Sequence, residues 1–123
     1  MVGTPSENEY DRLQTKRYIA ELARLGLDEI GVFPCVPYPG TRIREMYDIR
    51  GLKEELIIGD IPQWYPNYGS VTKHIRSLYI LFLMNKLIHH PEKIIRSLKN
   101  IIAGKQELKM ERTIISLVSK FRF

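Results

Sequence analysis

Seven consecutive residues, Ile30-Gly31-Val32-Phe33-Pro34-Cys35-Val36, constrain the fold of this chain more than any other stretch. A strand with one wet face alternates polar and apolar residues, whereas a strand covered on both sides reads as an unbroken apolar run. This run is apolar at odd and even positions alike and is bounded by turn residues, so it reads as a strand buried on both faces, as in a parallel sheet. Pro34 has no N–H to give a ladder, which puts an edge or an end of the sheet at that point.

The residues before the run read as a helix. Thr4, Pro5 and Glu7 supply a hydroxyl cap, a proline for the first helical position and a capping-box acid; Ser6 and Glu9 repeat the pattern slightly later. Leu13, Tyr18, Ile19, Leu22 and Leu25 follow at mostly three- and four-residue spacing, an apolar stripe ending near Leu25. Gly26 stops the helix, and Leu27 is placed to fold back on its last turn. Helix, glycine and a two-sided strand make half of a β/α repeat. The partner strand is due before Gly3, where Met1 and Val2 stand, so the chain is expected to begin inside a strand.

Beyond the run, Thr41 is expected to cap a short helix through Ile43, Met46 and Tyr47 that stops near Gly51. Residues 53–69, with Gly59, Pro62, Trp64, Pro66 and Gly69, read as an irregular connection. From Ser70, an expected cap, the pattern predicts helices over about 70–89, 91–103 and 106–121, with Pro91 at a start and Gly104 at an end. Ile94, Ile95, Leu98, Ile101 and Ile102 form a stripe from which Lys93, Arg96 and Lys99 are excluded, an amphipathic and basic arrangement.

Charge divides the chain at about the same place. Residues 1–69 carry 8 Lys+Arg and 11 Asp+Glu, net −3; residues 70–123 carry 11 and 3, net +8; together they make the +5 of the whole. Cys35 is the single cysteine, which excludes an internal disulfide framework or a cysteine-built metal site from these residues alone and suits a reducing cytoplasm. The N-terminus has neither the basic start nor the apolar core of a signal peptide. The most apolar segment, Leu78 to Met84, falls well short of the roughly 20 residues that span a bilayer. The chain therefore reads as cytoplasmic, with room for peripheral membrane contact. Nucleic-acid binding is disfavoured, because no Arg-rich or Gly-aromatic motif accompanies the charge.

Two motifs carry a family resemblance. Gly3-Thr4-Pro5-Ser6-Glu7-Asn8 resembles the G-x-P-G-E-T signature, departing from it at Ser6 and Asn8, and Pro37-Tyr38-Pro39-Gly40-Thr41 matches a P-Y-P-G-T signature in full. Both belong to radical S-adenosylmethionine enzymes, at the ends of their fifth and sixth barrel strands. The tail, with Trp64, a long apolar helix and His90-Pro91, looks like the C-terminal extension of the cobalamin-binding branch that includes anaerobic magnesium-protoporphyrin ester cyclases. The resemblance implies an α/β fold: residues 1–52 as the last β/α units of a partial barrel, residues 53–69 as a connection, and residues 70–123 as a basic α-helical extension.

The family uses S-adenosylmethionine and a 4Fe-4S cluster held by a CxxxCxxC loop, with cobalamin in the branch named. In it, residues at the ends of these strands line the adenosine pocket, which makes Gly3, Phe33, Cys35, Pro37 and Tyr38 the implied cofactor contacts, with Tyr38 or Phe33 placed to stack on adenine. One cysteine cannot hold the cluster, so the chain is expected to act only with the remainder of the barrel, and the small-molecule substrate is left unspecified. The alternative is a free-standing basic helical module that binds a membrane surface or a protein partner.

Each residue also has a plainer role. Thr4 to Glu7 serve as a helix start, Pro37 to Thr41 as a turn, Cys35 as a small buried apolar residue, and His89 and His90 as favourable charges at a helix C-terminus. Asp28 and Glu29 are expected as solvated loop carboxylates, and Trp64, Tyr65 and Tyr68 as packing residues.

Overall fold

The computed structural model describes residues 1–38, 40–46 and 68–121. Among them are five helices: α1 (Glu9–Arg24), α2 (Arg42–Met46), α3 (Tyr68–His89), α4 (Pro91–Ile102) and α5 (Lys109–Phe121). Expectations for Pro39 and for residues 47–67, including Tyr47, Gly51, Trp64 and Tyr65, lie outside the described residues.

The expected α/β barrel fragment is not what forms: among the described residues the chain is a small helical protein, 67% helix and 2% strand, with no sheet. Residues 30–36 are not a strand; the one β-type pairing among the described residues is an isolated parallel bridge between Val2 and Pro34. Val2 N donates to Phe33 O (2.9 Å) and Cys35 N donates to Val2 O (2.7 Å). In a parallel pairing the bonds fall on the residues flanking the partner, so the missing N–H of Pro34 is not required. A two-sided apolar run becomes a strand only where neighbours continue the ladder, and here the ladder stops after two bonds.

Contacts divide the chain into two compact units. The first comprises Met1–Thr15 and Val32–Leu78, the second Lys16–Gly31 and Tyr79–Phe123.

In the first unit Val2, Cys35, Val71 and Leu78 are buried. The expected cap at Thr4 forms only a turn, with Glu7 N bonded to Thr4 O at 3.0 Å. The helix begins instead on a reciprocal capping box in which Asp11 N donates to Asn8 Oδ1 and Asn8 N donates to Asp11 Oδ2, both at 3.0 Å. Asn8, the residue that departs from the family motif, is thus the real cap. Thr41 caps α2 as expected, accepting from Arg44 N at 3.4 Å. Ser70 does not cap α3, which starts at Tyr68.

In the second unit α1 ends on a Schellman motif: Leu27 N bonds Leu22 O and Gly26 N bonds Ala23 O, each at 3.1 Å, with Gly26 at φ 88°. The expected stripe is only partly right. Ile19 and Ala23 are buried, but Leu13, Tyr18 and Leu25 of the expected stripe are exposed. α4 begins with Pro91 at its first position after the cap residue His90. It closes with Lys105 N on Asn100 O at 2.8 Å, Gly104 taking φ 70°.

α5 is held at its N-terminus from two sides. Glu111 accepts from Glu107 N (2.8 Å) and Leu108 N (3.0 Å), and Glu29, some 80 residues earlier in the chain, accepts from Lys109 N (3.2 Å) and Met110 N (2.7 Å). Carboxylates at a helix N-terminus satisfy free amides and complement the dipole. No helix among the described residues is long and apolar enough to cross a membrane.

Candidate functional site

The first unit brings its two motif-bearing turns together. The bridge at Val2 fixes Gly3-Thr4-Pro5 beside Phe33 to Tyr38, two segments thirty residues apart in sequence. Gly3, buried, takes φ 80°, a conformation open to glycine at little cost. Its N–H donates to Glu7 Oε2 at 3.2 Å.

The five implied contacts differ in what they offer. Phe33 and Tyr38 are exposed and present aromatic surface, whereas Cys35 and Pro37 are buried. Tyr38 is held in a tight turn by Tyr38 N on Val36 O (3.0 Å) and by Thr41, whose Oγ1 donates to Tyr38 O at 2.6 Å. Arg44 Nη1 also reaches Pro37 O at 3.3 Å.

Next to Gly3 lies a cleft of about 290 Å³ lined by Gly3, Thr4, Pro5, Glu7, Arg12, Met46 and Val71. Of the five implied residues only Gly3 lines it. Its polar centre is an ion pair: Arg12 Nε donates to Glu7 Oε2 at 3.1 Å, and Arg12 Nη1 donates to Ser70 Oγ at 2.8 Å. Glu7 therefore does not cap a helix but fixes both the glycine amide and the guanidinium. Arg12 went unrecognised in the sequence because its acid partner is five residues away, a spacing outside the three- and four-residue pairs of a helix face.

The second unit holds a different cluster, around the loop after α1. Lys86 Nζ donates to Asp28 O, Lys93 Nζ donates to Gly26 O and, at 3.0 Å, to Asp28 Oδ1, and Arg96 Nη2 lies 3.7 Å from the same carboxylate. His90 Nε2 donates to Arg24 O at 2.7 Å. His90, between α3 and α4, thus serves a helix C-terminus, but that of α1 rather than of the preceding α3. Asp28 and Glu29 are not merely solvated, since one meets three cations and the other caps α5.

The hydrogen bond from Lys93 holds the Asp28 carboxyl below its ordinary value, with the charges of Lys93, Lys86 and Arg96 adding to the effect against a partial desolvation. Burial pushes the Lys86 ammonium down, and Asp28 only partly restores it. Burial raises the Glu111 carboxyl, but hydrogen bonds from Leu108, Ser97, Glu107 and Asn100 outweigh it and leave the group below its ordinary value.

Among the described residues no group of three His, Cys, Asp or Glu side chains is placed to hold a metal ion. The 4Fe-4S cluster implied by the resemblance needs three thiolates, and the single thiol, on Cys35, is 1% exposed. These residues do not fit the cluster. Of the implied contacts, Phe33 and Tyr38 present two exposed aromatic faces beside the buried Gly3 turn. No protein-family model, curated protein or solved structure matches the chain.

Proposed function

We propose that residues 2–5 and 33–38, both in the first unit, form an S-adenosylmethionine-contacting edge that works together with a cluster-bearing segment of a radical S-adenosylmethionine enzyme. The reading is supported by one observation: the bridge from Val2 to Phe33 and Cys35 sets the Gly3-Thr4-Pro5 turn against the Phe33 to Tyr38 turn, so both motifs contribute to one surface. It does not depend on a barrel sheet. The chain's own part is to bind and orient the adenosyl group, with Tyr38 or Phe33 against the adenine face and the Gly3 backbone at close approach.

Equilibrium dialysis of the chain against S-adenosylmethionine tests this reading. Saturable binding that weakens in Tyr38→Ala and in Gly3→Val, with the helical circular dichroism of both variants unchanged, is expected. Absence of saturable binding, or equal binding by both variants, contradicts it.

A further inference from the structure

Two helices of the second unit leave an aliphatic arc exposed and bury polar side chains on the opposite arc. A helix at a protein surface ordinarily does the reverse. At 100° per residue, Ile95, Leu98 and Ile102 of α4 share an arc of roughly 60°, and Asn100 lies opposite them. The aliphatic arc is the exposed one, with Ile102 at 86%, while Asn100 is 8% exposed and donates to Glu111 Oε1 at 3.2 Å.

The part of α3 in this unit repeats the inversion. Ile80, Met84, Leu87 and Ile88 occupy an arc of roughly 100° and are all exposed, and the opposite arc buries Phe82 together with Lys86. Lys86 is 3% exposed, its Nζ 5.7 Å from the centroid of the Phe82 ring and donating to Asp28 O. α3 is thus apolar on both faces, and only one face is covered by the unit itself.

Exposed aliphatic arcs on two helices of one unit point to an interaction surface. Its chemistry narrows the occupant. The unit, residues 16–31 and 79–123, carries 12 Lys+Arg and 6 Asp+Glu, net +6, so a second copy would meet like charge and an acidic surface is favoured. Lys86, Lys93 and Arg96 are engaged by the loop after α1, whereas Lys99 of α4, Lys105 just after it, and Lys109 and Arg112 of α5 are exposed. The seven outward side chains are isoleucine, leucine and methionine, without the aromatic anchors that concentrate binding energy in protein interfaces. Aliphatic stripes with exposed lysine and arginine nearby match the acyl and headgroup layers of a bilayer surface.

We infer that the outward faces of α3 and α4 dock the second unit on an anionic lipid surface, the helices lying in the interface with Lys99, Lys105, Lys109 and Arg112 near the headgroups. The inference concerns the second unit alone and is independent of S-adenosylmethionine binding by the first.

Flotation of the whole chain with phosphatidylcholine vesicles, with and without phosphatidylserine and at low and high salt, tests it. Binding is expected to vesicles containing phosphatidylserine at low salt and to fall at high salt. Met84→Glu and Leu98→Glu are each expected to lower partitioning about tenfold or more while helical circular dichroism is unchanged. Three results would overturn the inference: no binding to the anionic vesicles at low salt; binding that both glutamate variants retain; or a concentration-dependent dimer in analytical ultracentrifugation, abolished by those variants without lipid, which would give the face to a second copy.

Discussion

Gly26 offers a quantitative test of how the second unit is built, because Gly104 provides an internal reference. Both glycines end a helix in the left-handed region, at φ 88° and φ 70°. An alanine in that conformation costs about 1–2 kcal/mol. It also restricts the unfolded chain, which returns about 0.4–1 kcal/mol, leaving a net loss of about 0.5–1 kcal/mol from backbone conformation alone.

The two sites differ in what a methyl group would meet. At Gly104 there is nothing within 4 Å; at Gly26 it would lie 3.2 Å from His90 Nε2, 3.3 Å from His90 Cε1 and 3.5 Å from Lys93 Nζ. His90 would have to leave Arg24 O, its hydrogen-bond acceptor at 2.7 Å. Losing such a bond costs about 0.5–1.5 kcal/mol. Gly104→Ala is therefore expected to destabilise by about 0.5–1 kcal/mol, and Gly26→Ala by about 1–2.5 kcal/mol.

Urea unfolding followed by far-ultraviolet circular dichroism measures both, and a cycle with His90→Ala isolates the contact. In the His90→Ala background Gly26→Ala should cost no more than Gly104→Ala. Equal losses for the two glycine variants in the otherwise unchanged chain would refute the claim that His90 closes the end of α1.

Three further outcomes follow from the same geometry. The Glu111 carboxyl is lowered in the folded state, so the unfolded chain takes up its proton first as pH falls; the stabilisation is complete above the ordinary value of 4.5, is lost as pH drops below it, and in Glu111→Gln that slope of stability with pH disappears. Asp28→Asn, at a half-exposed site, should cost under about 1 kcal/mol, with a loss that shrinks in high salt, as urea midpoints at two ionic strengths would show. The Cys35 thiol, 1% exposed, should react with a thiol reagent only at the rate of local opening, and immediate stoichiometric reaction in the native chain would contradict its placement.

Glycine and proline signals at helix ends are legible in the sequence, whereas the caps at Thr4 and Ser70 and the non-local pairings are not. Gly26, Pro91 and Gly104 mark helix ends in the places where their own backbone preferences put them. The start of α1 shifted from Thr4 to Asn8, because two capping patterns compete there and Asp11 completes the later one. Residues 30–36 carry the apolarity of a covered strand, but a sheet needs further strands to extend the ladder, and a seven-residue run holds no information about them.

The stripe on α4 was visible as a stripe, yet periodicity says which residues share a face and not which way that face points. Its outward direction is set by Asn100 and Lys93, whose partners Glu111, Gly26 and Asp28 come from distant parts of the chain. At the candidate site the motifs point to Gly3, Phe33, Cys35, Pro37 and Tyr38 but carry no sign of the Glu7–Arg12 pair in the adjacent cleft or of the burial of Cys35 and Pro37.

The central claim is that two turns far apart in sequence form one adenosyl-contacting edge, and amide chemical-shift mapping during titration with S-adenosylmethionine tests it most directly. The account predicts shifts that saturate together at residues 2–5 and 33–38, with α4 and α5 unaffected. Shifts confined to one of the two turns, or spread over the helices of the second unit, would contradict it.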